Sequence, residues 1–70
     1  MNNILIFKDG SDLDNILCAL WVSNHFQPIW FKDFVKSLDD NITHVKHDEK
    51  VVTITFKDEI SKMFFILKYE

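Results

Sequence analysis

The sequence MFFILKY, from Met63 to Tyr69, decides how many strands this 70-residue chain forms. A helical spacing connects four apolar positions in and just before it, namely Ile60, Met63, Phe64 and Leu67. The aromatic and β-branched content favours a strand instead, and the five residues DEISK before it suit a hairpin connection. We therefore predict a strand. Its two faces would be Phe64 with Ile66, and Met63 with Phe65, Leu67 and Tyr69.

Three further strands are predicted upstream of this stretch. VVTITF, at 51–56, is the strongest, with Val52, Ile54 and Phe56 facing the core and the threonines facing out. A weaker strand covers 42–47, and the turn Asp48-Glu49-Lys50 joins the two. The run ILIF at 4–7 predicts the first strand of the chain. The last three strands would form an antiparallel meander.

Two helices are predicted between the first strand and the meander. The first carries its apolar stripe on Leu13, Ile16, Leu17, Leu20 and Trp21. The second begins near Pro28, carries Phe31, Phe34, Val35 and Leu38 on one side, and ends at Asn41. The order β-α-α-β-β-β predicts one α+β domain over residues 1–70. It has two layers, a four-stranded, mostly antiparallel sheet with two helices on one face.

Apolar residues make up 47% of the chain, which is more than two such layers can cover. The face with Met63, Phe65, Leu67 and Tyr69 would remain open, and an open apolar patch of this kind marks an interaction surface. Ile29 lies off the buried stripe of the second helix and Trp30 lies at its edge. We expect both to be anchors for a partner.

The stretch FKDGSDLD, residues 7–14, gathers three carboxylates around the only glycine. A calcium loop counted from Asp9 would place Leu13 and Leu20 at ligand positions, and the sequence lacks the Gly-Lys-Ser/Thr of a phosphate loop. A helix cap accounts for every residue: Gly10 turns the chain, Ser11 caps the helix, and Asp14 stands at the third helical position. Asp9, Asp12 and Asp14 would also present negative charge to a basic partner.

The charged residues argue against several classes of function. Eight basic residues, all of them lysine, face eleven acids, and the net charge is −3. This balance argues against direct nucleic-acid binding, and it gives only weak support to an acidic mimic of nucleic acid. His44 and His47 would point to opposite strand faces and Cys18 and His25 lack paired partners, so no metal or other cofactor is predicted.

The sequence predicts a cytoplasmic protein without a membrane partner. The longest apolar run, ILCALWV at 16–22, is too short to span a bilayer. A single cysteine cannot form an internal disulfide, which fits a reducing compartment. The N-terminus lacks the basic region of a signal peptide.

We expect a small non-enzymatic module that binds another protein as an inhibitor or adaptor, or that forms a homodimer. Its size and acidity resemble those of inhibitors that phages and mobile elements encode against host nucleases or defence complexes. The alternative is a small ribonuclease-toxin-like enzyme with a similar order of elements. That enzyme would need its cationic groove on one face, formed by Lys46, Lys50, Lys57, Lys68 and Tyr69.

Overall fold

The structure is a computed structural model that describes residues 2–23 and 30–69. The described residues form three strands and three helices in the order β1 (Ile4–Lys8), α1 (Asp12–Ser23), α2 (Phe31–Ser37), β2 (Ile42–Asp48), β3 (Val51–Phe56) and α3 (Glu59–Tyr69). The strands form an antiparallel sheet in the order β1-β3-β2. The protein therefore has an α+β fold.

The prediction of a fourth strand is wrong, because Met63 to Tyr69 belongs to α3. The residues interpreted as a hairpin connection form the start of this helix. Asp58 caps it by accepting a hydrogen bond from the Ser61 backbone N–H at 2.7 Å. The fold thus has three strands and three helices instead of four strands and two helices.

The cap on α3 makes the stability of this helix sensitive to acid. The hydrogen bonds from the Ser61 backbone and hydroxyl, with help from Lys57, lower the pKa of Asp58 below its ordinary value of 3.8. A depressed folded-state pKa stabilises the fold above the unfolded-state pKa, and the benefit disappears as pH falls through the folded value.

We expect an Asp58→Asn variant, which keeps the capping oxygen but does not titrate, to melt below the wild type at pH 6. The difference should shrink as the pH falls towards about 3. Thermal melts of both proteins across this range test the expectation. A melting difference that stays constant with pH would show that the Asp58 charge does not stabilise the cap.

The central strand β3 confirms the predicted alternation. Val52, Ile54 and Phe56 are buried, and Thr53 and Thr55 lie on the other face. The strand register places Leu5 and Val45 on either side of Ile54, so both edge strands contribute to the same core. The opposite face of the sheet, which we call the open face, carries Ile4, Ile6, His44, Lys46, Thr53 and Thr55.

The start of α1 confirms the cap predicted for FKDGSDLD. Gly10 has φ of +86°, a left-handed conformation that favours glycine, and it turns the chain out of β1. Ser11 Oγ accepts a hydrogen bond from the Asp14 N–H at 3.4 Å and donates one to the Lys8 carbonyl at 2.7 Å. The Asp14 carboxylate accepts from the Gly10 N–H at 2.9 Å, so the two side chains close the helix end together.

The helices α1 and α2 pack beside each other over the sheet. The Trp21 ring of α1 meets the Phe31 ring of α2 edge-on, with centroids 5.5 Å apart. Leu13 and Leu17 of α1 are buried, whereas Ile16 and Leu20 are about 40% exposed. Within 2–23 and 30–69, none of the helices is long and apolar enough to cross a membrane.

Candidate protein-binding site

The strongest candidate site is the face of α3 that points away from the core. We call it the outer stripe, and it consists of four residues that are between 53% and 75% exposed: Ile60, Met63, Phe64 and Leu67. Their spacing places them along one side of the helix, about two turns long. The opposite side carries Ser61 and Phe65, which are buried.

The helix α3 is therefore apolar on two opposite sides. Phe65 packs against Phe56 of the sheet at a centroid distance of 5.2 Å and against Tyr69 at 4.8 Å, and these contacts hold the inner side. A surface helix normally carries polar residues opposite its core face. Four large side chains exposed together form a patch on the order of 500 Å², as large as the functional patches of monomeric proteins.

The structure divides the predicted apolar face into two sets. Met63 and Leu67 belong to the outer stripe, whereas Phe65 is buried and Tyr69 is half-buried against the core. The prediction that all four share one open face is wrong, since it assumed a period of two. Ile60 and Phe64 were not included in that face. The helical spacing, with a capping aspartate at 58, was the signal that could have identified them.

A second concave surface brings together three other predicted residues. Asp9, Asp14 and Trp30 line one groove of about 820 Å³ at the end of the sheet between α1 and α2. Trp30 is largely exposed, as predicted for an anchor. Asp12 is exposed and is not among the residues lining the groove, and Ile29 lies outside the described residues.

The polar groups of this groove are largely paired with each other. Asp14 Oδ1 accepts a hydrogen bond from the Cys18 thiol at 3.7 Å, and Asp9 Oδ1 lies 3.5 Å from His47 Nε2. Burial raises the pKa of the Cys18 thiol above its ordinary value, and the carboxylates of Asp14 and Asp9 raise it further. Nucleophilic cysteines require the opposite shift, so this arrangement does not activate Cys18.

The lysines required by a ribonuclease-like groove do not gather on one surface. Lys46 lies on the open face of the sheet, whereas Lys68 belongs to α3, on the other side of the sheet. Lys50 and Lys57 flank the two ends of β3, about 20 Å apart. Among the residues of 2–23 and 30–69, no three His, Cys, Asp or Glu side chains are grouped to hold a metal ion.

No protein family, curated protein or solved structure matches this chain. The surfaces of the molecule therefore provide the evidence for its function.

Proposed function

We propose that this protein is a small protein-binding module that contacts its partner through the outer stripe of α3. The observation that carries the proposal is that Ile60, Met63, Phe64 and Leu67 project from the helix side opposite the buried Phe65. Covering these side chains removes apolar area from water, which is the main driving force of protein association. A helix presented in this way acts by occupying a partner's surface, as an inhibitor or adaptor does.

The spacing of the stripe supports one mode of binding for this proposal. Apolar residues at positions i, i+3, i+4 and i+7 are the anchors by which an amphipathic helix packs against another helix or into an apolar groove. The inner side of α3 is already held by the sheet, so the helix does not need to fold on binding. This preorganisation lowers the entropic cost of association.

A photo-cross-linking side chain at position 64 tests the proposal. We expect Phe64→benzoylphenylalanine to give discrete protein adducts on irradiation in the cell that makes the protein, because Phe64 lies at the centre of the stripe. The matched control is the same side chain at Lys46, which is also exposed but lies on the open face.

Discrete adducts at position 64 that are absent at position 46 support the proposal. Mass spectrometry then identifies what was captured. Equal adducts at both positions, or none at position 64, would contradict it.

A further inference from the structure

We propose that the outer stripe of α3 binds the outer stripe of a second copy of this chain, with the two helices antiparallel. This inference rests on the proposed function, because it names the partner of the same surface. Three properties of α3 support it, namely the symmetry of the stripe, the position of the charges beside it and its area.

The stripe is symmetric in its spacing. Positions 60, 63, 64 and 67 have the same intervals when read in either direction. A two-fold axis between positions 63 and 64 therefore places Ile60 opposite Leu67 of the second copy, and Met63 opposite Phe64 of the second copy. Such a contact is closed and self-complementary, as in most homodimers, and the Met63–Phe64 pairs would make favourable sulfur–aromatic contacts.

The charges beside the stripe favour the antiparallel arrangement over the parallel one. Glu59 stands one residue before the stripe and Lys68 one residue after it. Glu59 and Lys68 lie on opposite flanks of the stripe, since nine residues correspond to two and a half helical turns. The same two-fold axis brings Glu59 of each copy to the same height along the pair as Lys68 of the other, across the stripe from it, whereas a parallel pair would place like charges at the same height. The helix dipoles of an antiparallel pair also oppose each other, which is favourable.

The area of the stripe indicates a reversible dimer. Pairing two patches of roughly 500 Å² buries about 1,000 Å² of apolar surface, and the flanking side chains bring the total close to the ~1,200 Å² at the lower limit of specific interfaces. We therefore expect a dissociation constant on the order of 10 μM, and the monomer should fold without its partner.

The first test is the solution mass measured by sedimentation between about 1 and 500 μM, a range that brackets the expected dissociation constant. The mass should rise from 8.3 kDa towards twice that value. Leu67→Lys should weaken association at least ~30-fold, because it places a charge within the apolar contact, opposite Ile60 of the second copy. A monomer over the whole range would overturn the dimer.

The matched control is Val22→Lys. Val22 and Leu67 are both exposed aliphatic residues in the last turn of their helices, where lysine suits the helix dipole. This variant should associate like the wild type, and circular dichroism should show that both variants are folded. If Val22→Lys weakens association as much as Leu67→Lys does, the contact does not use the stripe.

The second test determines the orientation of the helices by disulfide formation in a Cys18→Ser background. Ile60→Cys and Leu67→Cys should cross-link to each other when the two variants are mixed. Neither should cross-link with itself, because identical positions lie about 10 Å apart along an antiparallel pair. Self-cross-linking of Ile60→Cys at the same rate would show a parallel pair and overturn this inference.

These tests separate the dimer from the more general proposal. Adducts at position 64 with another protein, together with a monomer in solution, would remove the second copy as partner and leave the protein-binding function intact. If neither an adduct nor a dimer is observed, both the dimer and the protein-binding function of the stripe are contradicted.

Discussion

Phe65→Ala is expected to abolish most of the stability of this protein, whereas Phe64→Ala is expected to leave it almost unchanged. The two residues are adjacent and chemically identical, but Phe65 is 2% exposed and Phe64 is 67% exposed. Truncating a buried phenylalanine costs about 3–5 kcal/mol in lost burial and cavity formation. A 70-residue domain has a total stability of about 4–10 kcal/mol, so Phe65→Ala removes a large part of it.

Urea unfolding at low micromolar concentration provides the measurement, since dilution keeps any dimer from contributing to stability. We expect Phe64→Ala to change the free energy of unfolding by less than about 0.5 kcal/mol. Similar losses for the two variants would show that both faces of α3 are buried within one chain. That result would also remove the basis for the outer stripe.

The position of Phe65 explains why the prediction of a strand at the end of the chain was wrong. Aromatic and β-branched residues suit a strand, and this local preference outweighed the helical spacing that was also visible. The preference of an isolated stretch is weak compared with the packing of Phe65 on Phe56, which the sequence does not display. The cap at Asp58 was visible in the sequence, since an aspartate just before a run of helically spaced apolar residues is a common helix start.

Other parts of the fold follow from local rules and were predictable. In β3, apolar residues alternate with threonine, so only one orientation of the strand turns Val52, Ile54 and Phe56 towards the core. Gly10, Ser11 and Asp14 form a cap whose contacts lie within seven residues of chain. Such short-range patterns depend little on tertiary structure, and each was confirmed.

The sequence predicted only part of the candidate site, because the site depends on the type of secondary structure and on tertiary packing. Surplus apolar residues indicated an exposed surface near Met63 and Leu67 before the fold was known. The side chains that share this surface depend on whether the element is a strand, with a period of two residues, or a helix, with a period of 3.6 residues. In the helix, Ile60 and Phe64 take the places on the exposed face that the strand would give to Phe65 and Tyr69. One groove brings together Asp9, Asp14 and Trp30 because α1 packs on α2. This is a tertiary contact, which the sequence does not display.

Leu17→Ala is expected to have the second large effect, and Leu20→Ala is its matched control. Both leucines belong to the apolar stripe predicted for the first helix. In the folded protein Leu17 is 0% exposed and Leu20 is 40% exposed. We expect Leu17→Ala to lower the free energy of unfolding by about 2–5 kcal/mol and Leu20→Ala to lower it by less than about 1 kcal/mol.

The comparison shows which side of α1 the core occupies. Cys18 and Trp21 flank Leu17 on the side of the groove, whereas Ile16 and Leu20 flank it on the other side and are only partly covered. Urea unfolding monitored by circular dichroism measures both variants under the same conditions. If Leu20→Ala is as costly as Leu17→Ala, then the chain buries both flanks of Leu17, and the exposed apolar surface does not extend to the Leu20 side of α1.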